Sequence, residues 1–90
     1  MMSNYKAKRF KMAIASFEWH VTFAEDGILW LCEKCLTRSL KELSNLTGRR
    51  LTNAAVYAVG AACLKATGDE SMATTFAVQW AIGQFEAVTR

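Results

Sequence analysis

Alternation of large apolar with smaller or polar side chains over residues 17–24 restricts the fold of this chain more than any other pattern. The large apolar residues occupy every second position: Phe17, Trp19, Val21 and Phe23. A period of two is typical of a β-strand with one buried face. A strand needs a neighbour to satisfy its backbone groups, so this pattern predicts a sheet and not helices alone.

The residues after this segment predict a hairpin. Asp26-Gly27 is a favourable two-residue turn because both positions tolerate positive φ. The apolar run at 28–32 then indicates the returning strand, with Phe23 opposite Trp30. The other face of that strand carries two apolar side chains that something must cover: Leu29 and Leu31.

The N-terminal segment is basic and has two competing interpretations. Alternation at 10–14 indicates a third strand, and a short helix over 5–15 is the alternative. Residues 1–11 are predicted to form a basic arm that contacts phosphate or an acidic partner, or is simply solvated. Four cations make it basic: Lys6, Lys8, Arg9 and Lys11.

Beyond Cys35 the apolar period changes to that of a helix. Leu36, Leu40 and Leu43 lie at i, i+4 and i+7, which predicts an amphipathic helix. Gly48 is expected to end that helix as a glycine just past its last turn.

Two further helices are predicted from capping residues. Thr52 is a good N-cap for a helix over about 53–66, which ends at Gly68. The last helix covers about 71–87. Its N-cap is one of two residues: Asp69 or Ser71.

These two helices are unusually apolar. The first has almost no polar face and is expected to be buried on all sides. The last is apolar on two sides, with Met72, Phe76 and Trp80 on one and Val78, Ile82 and Phe85 on the other. Counted with glycine and without tyrosine, apolar residues make up 50 of the 90 positions, about 56%, whereas ordinary soluble domains have about 45–50% on that definition. The surplus predicts a homo-oligomer, most simply a dimer, or a partner interface on a helix face.

We therefore predict one domain over residues 1–90, of the α+β class. An antiparallel β-hairpin region at 12–34 is followed by a helical region at 36–88, whose three helices pack on one face. The chain has no secretory signal pattern and no run of the about 18 apolar residues that a membrane span needs. Three cysteines fit a reducing compartment, so we expect a cytoplasmic protein without a membrane partner.

The paired thiols at the strand–helix junction suggest two chemistries. A CxxC at a helix start lowers a thiol pKa and resembles a thioredoxin active site, but that fold needs a proline and this chain has none. A zinc site would need four ligands, and the residues available give a poor spacing. We expect no metal; the candidate ligands are Cys32, Cys35, Cys63 and His20.

Catalysis is not expected. His20 is the only histidine and is predicted opposite Glu33 in the hairpin, where an ordinary cross-strand pair is expected. The sequence contains no phosphate-binding glycine loop and no serine or cysteine in a known nucleophile pattern. We therefore predict no enzyme activity and no cofactor.

Residues 30–64 combine a strand-like start, the leucine stripe, a turn at 47–49 and an N-cap at Thr52. In this order they resemble ribbon-helix-helix DNA-binding proteins. The resemblance implies a dimeric regulator whose basic arm, Arg49 and Arg50 contact phosphates. The positions at which that family presents polar or basic side chains to base edges are apolar in this chain: Leu29 and Leu31.

The first hypothesis is a non-catalytic protein that modulates a larger protein as an inhibitor, adaptor or regulatory subunit. This profile is common among small accessory and anti-defence proteins of phages and mobile elements. A dimeric DNA-binding regulator is the alternative. The predicted partner-binding residues lie in the arm, the strand, the turn and the last helix: Lys6, Lys8, Arg9, Lys11, Leu29, Leu31, Arg49, Arg50 and Gln79.

Overall fold

The computed structural model describes residues 3–24, 27–30 and 33–88, with the backbone alone in the strands after Val21. Four helices account for most of this chain, and two short strands separate the first helix from the second. In order the elements are α1 Asn4–Trp19, β1 Val21–Ala24, β2 Gly27–Trp30, α2 Glu33–Thr47, α3 Asn53–Thr67 and α4 Glu70–Glu86.

Helix α1 replaces the predicted basic arm and the first half of the predicted strand region. Ser3 caps it by accepting a hydrogen bond at Oγ from the Lys6 amide at 3.2 Å. Phe10, Ile14 and Phe17 lie at i, i+4 and i+7, so one helical face reaches the core. The arm at 1–11 and the third strand at 10–14 were therefore wrong predictions, and the short-helix alternative was nearer to the structure.

The two strands, of four residues each, form an antiparallel ribbon. Their register differs from the predicted one. Val21 pairs with Trp30 and Phe23 pairs with Ile28, whereas the Asp26-Gly27 turn would have set Phe23 against Trp30. The predicted α+β class is wrong, because four helices make up most of the fold and the only strands in the described residues form a short ribbon between α1 and α2 that packs against α3 and α4.

The three later helices lie close to where the caps predicted them. Gly48, at φ 77°, follows α2 and donates its amide to the Ser44 carbonyl at 2.8 Å. Thr52 caps α3, Gly68 ends it at φ 69°, and Asp69 caps α4. Local capping chemistry therefore sets these boundaries.

The helices pack as two pairs, α1 with α2 and α3 with α4, in a body of 40 × 24 × 17 Å. Side chains from all four helices and Val21 meet in one core, whose largest fully buried members are Phe17, Phe85, Leu36, Leu43 and Val56. The prediction that α3 is buried on all sides was wrong, since Ala54, Tyr57 and Ala58 face outward. A body only 17 Å thick leaves each helix with an uncovered face.

Candidate partner-binding surfaces

Three large apolar side chains of α1 point away from the core. Tyr5 is 70% exposed, Met12 is 63% exposed and Trp19 is 74% exposed. They lie seven residues apart, so they form one line along the helix about 21 Å long at a rise of about 1.5 Å per residue. We call Tyr5, Met12 and Trp19 the α1 stripe.

Arg9 connects the start of this stripe to α2. Its guanidinium lies 5.9 Å from the centroid of the Tyr5 ring and donates a 3.3 Å hydrogen bond to the Tyr5 hydroxyl. Its Nε donates to Glu42 Oε1 at 3.0 Å, and its Nη2 forms an ion pair with the same oxygen. The hydrogen bond to Glu42, and then the one to Tyr5, raise the pKa of Arg9 above its usual value. The side chains of Tyr5 and Arg9 thus restrain each other on the helix surface.

A groove of about 370 Å³ runs beside the stripe between α1 and α2. Ser39 Oγ donates to the Cys35 carbonyl at 2.9 Å, so Ser16 is the donor in the 2.8 Å bond between the two serine hydroxyls. The groove therefore combines two hydrogen-bonded serine hydroxyls with charged side chains from both helices. Its lining residues are Arg9, Met12, Ala13, Ser16, Arg38, Ser39 and Glu42.

The same pair of helices carries most of the basic side chains. The four cations predicted in an arm are exposed on α1, and α2 adds three more exposed ones. Among these seven side chains, all on described residues, only Arg9 is in an ion pair. The set is Lys6, Lys8, Arg9, Lys11, Lys34, Arg38 and Lys41. The α1–α2 surface is therefore a basic surface with an apolar line through it.

The outer face of α4 has the opposite character. No charged residue occurs between Glu70 and Glu86, yet Met72 is 50% exposed and Phe76 is 54% exposed. The sequence assigned both, with Trp80, to one of two apolar sides of this helix, and in the structure that side is exposed at Met72 and Phe76. A shallow depression of about 460 Å³ lies on this face. The buried side of α4 carries small residues instead: Ala73, Ala77 and Ala81.

The other predicted partner-binding residues do not converge on one site. Arg49 donates from Nη2 to Gln84 Oε1 on α4 at 2.6 Å, and Arg50 is exposed beside a groove between α2 and α3. Gln79 is exposed at the middle of α4. Leu29 lies on β2, where only the backbone is described, and Leu31 lies outside the described residues.

The candidate metal and redox residues also stay apart. His20 follows the last residue of α1, and its Nδ1 donates to the Ser16 carbonyl at 2.6 Å. Glu33 begins α2, so the two residues do not oppose each other across a hairpin as predicted. Cys63 is half-buried on α3, Cys35 lies on α2, and Cys32 is outside the described residues. Within residues 3–24, 27–30 and 33–88, no three His, Cys, Asp or Glu side chains are grouped so that they could hold a metal ion.

Comparison with protein-family models, curated proteins and solved structures gave no match. No helix in the described part of the chain combines the length and apolarity needed to cross a membrane. The functional inference therefore depends on the surfaces alone. Tyr5, Met12 and Trp19 were not predicted as surface residues, although their seven-residue spacing is visible in the sequence.

Proposed function

We propose that this chain is a non-catalytic binding protein that docks on an acidic surface of a larger protein through its α1–α2 surface. The observation that carries the proposal is the α1 stripe, three large apolar side chains exposed in register along a basic helix. The proposal includes no reaction and no cofactor, and the chain acts by occupying or reshaping its partner.

Exposure of the α1 stripe supports a binding role, because a partner that buried these tyrosine, methionine and tryptophan side chains would gain free energy from removing their apolar surface from water. Burial of apolar surface contributes about 25 cal/mol per Å². Aromatic and arginine side chains dominate the binding energy of most protein interfaces. Tyr5 and Arg9, already in mutual contact, fit that role at low entropic cost.

The surrounding cations favour an acidic partner. Lys8 and Arg9 follow Tyr5 by three and four residues, which places them next to the stripe on the helix surface. Complementary charge at an interface accelerates association and rejects partners of the wrong sign. Inhibitor, adaptor and regulatory subunit are the roles compatible with such docking.

The experiment compares two exposed apolar positions on different faces. Met12→Asp places a carboxylate in the α1 stripe, and Phe76→Asp does the same on α4. Immobilised wild type and both variants are used to capture proteins from a lysate of the source organism, with quantitative mass spectrometry. We expect a protein with an acidic surface to be retained by wild type and Phe76→Asp and lost by Met12→Asp. Equal capture by all three chains would contradict the proposal.

Duplex DNA is the second candidate, because seven exposed cations lie on the same pair of helices. Phosphate contacts by these side chains would bind DNA with an affinity that falls steeply with salt. Fluorescence anisotropy with labelled duplexes at about 50 mM and about 200 mM salt measures this, and six or more phosphate contacts should cost about 10³-fold or more in affinity between the two salt concentrations. Tight binding at the higher salt with a sequence preference would favour a DNA-binding regulator over a protein-binding one.

A further inference from the structure

We propose that the chain forms a twofold dimer in which α4 packs antiparallel against α4 of a second copy, with Gln79 at the axis. This interface is separate from the α1–α2 surface. It uses the outer face of α4, where exposed Met72, Phe76 and Gln79 line the depression described above.

The lack of charge on the outer face of α4 favours a second copy of this chain as the partner. An exposed helix of a monomer usually carries charged side chains on its solvent side, but residues 71–85 contain none. The central part of this face, from Met72 to Gly83, gains little from a charged partner and matches another neutral face without desolvating an ion. Asp69, which lines one end of the depression, and Glu86 lie at the margins of this neutral part. Within the described residues, the uncharged surface is the outer face of α4 together with the adjoining outer face of α3. On α3, Tyr57 is exposed and residues 51–64 are also uncharged.

The spacing of residues along α4 is self-complementary. Met72 and Gln79 lie seven residues apart, as do Phe76 and Gly83, which is the repeat of helices that pack side by side. In an antiparallel pair centred on Gln79, Phe76 of one copy lies over Ile82 and Gly83 of the other. Each Phe76 then fills a hole left by a glycine, and the two Gln79 amides can hydrogen-bond across the axis.

Gly83 is an independent indication of a close approach by another molecule. Glycine inside an exposed helix is unfavourable relative to alanine. Apart from its chain neighbours and the adjacent backbone of α4, no described atom lies within 4 Å of the position that a Cβ at Gly83 would take. The fold of the single chain therefore gives no reason for glycine at 83, whereas a Phe76 ring from a second copy does.

The dimer is expected to be weak, because one helix and its margins cover less than the about 800 Å² per partner of a standard interface. Sedimentation velocity from about 1 µM to about 200 µM covers the expected micromolar range of dissociation constants. Three variants are compared with wild type. Phe76→Asp buries a charge, Gly83→Leu fills the hole while raising helix propensity, and Met12→Asp alters the α1 stripe as the matched control.

We expect wild type and Met12→Asp to dimerise alike, and both α4 variants to raise the dissociation constant at least about tenfold. Gly83→Leu keeps the test independent of folding, because its monomer should be at least as stable as wild type. A wild-type monomer at every concentration, or a dimer that either α4 variant leaves intact, overturns the proposal. Neither result affects the capture of a larger protein by the α1–α2 surface. The dimer and the docking surface can therefore be contradicted independently.

Discussion

Phe17 and Trp19 are two residues apart on α1 and lie on opposite sides of it, with Phe17 fully buried and Trp19 74% exposed. Two helical positions differ by about 200° around the axis. In the strand that their alternation predicts, both side chains would share one face. The contrast between them therefore reports directly on the secondary structure of this segment.

Alanine substitution at these two positions should have very different effects on stability. Phe17→Ala removes a core aromatic ring and should lower the free energy of unfolding by about 3–5 kcal/mol. Trp19→Ala removes a solvated side chain and should change it by no more than about 0.5 kcal/mol. Urea denaturation followed by circular dichroism measures both. Similar losses for the two variants would mean that the two side chains share the core, as in the strand.

Two periodicities overlap in this segment, which explains the wrong prediction. The positions 17, 19, 21 and 23 alternate, but Phe10, Ile14 and Phe17 also fit a helical face. The structure uses the helical set, and only Val21 of the alternating residues beyond Trp19 is described as part of the core. Local pattern cannot choose between the two, because the choice depends on how well each face packs against α2 and α4.

Gly68 and Gly83 should respond in opposite directions to alanine. Gly68 adopts φ 69° and donates its amide to the Leu64 carbonyl at 2.7 Å, so Gly68→Ala should lower the free energy of unfolding by about 1–2 kcal/mol. Gly83 is helical with open space around it, so Gly83→Ala should raise it by up to about 1 kcal/mol. Denaturation is measured at low protein concentration, where the monomer dominates. A loss of stability in Gly83→Ala would mean that this glycine serves the single chain.

Asp69 should contribute to stability as the N-cap of α4. Its Oδ1 accepts a hydrogen bond from the Met72 amide at 2.9 Å, and Asp69→Ala should lower the free energy of unfolding by about 1 kcal/mol. Ser71 is exposed in the first turn and was the alternative cap in the sequence analysis. Ser71→Ala is therefore the control, with an expected change within about 0.5 kcal/mol. Thermal unfolding of both variants distinguishes the two caps.

Glu42 should limit the affinity of the α1–α2 surface for acidic partners, because it neutralises Arg9. Glu42→Gln should strengthen binding of poly-L-glutamate about twofold to fivefold, and Lys8→Gln should weaken it by a similar factor. Isothermal titration calorimetry at low salt gives both values. Changes of the same sign in the two variants would show that binding does not follow the local charge.

The sequence predicted helix boundaries better than it predicted surfaces. Caps and glycines act within a few residues, so Thr52, Gly68 and Asp69 could be assigned without the fold. The sequence showed two apolar sides on the last helix but not which of them the chain itself covers; α4 buries its alanines and leaves Met72 and Phe76 exposed. An apolar side chain indicates a surface to be covered, but not whether the cover comes from the same chain.

Hydroxyl-radical footprinting of Met12 tests the binding role of the α1 stripe most directly, because it reports the exposure of that side chain in the free protein and in the captured complex. At constant protein concentration Met72 serves as the internal reference. We expect Met12 to be oxidised readily in the free protein and at least about tenfold more slowly in the complex, with Met72 unchanged. Equal oxidation of Met12 with and without the partner would contradict a docking surface on α1.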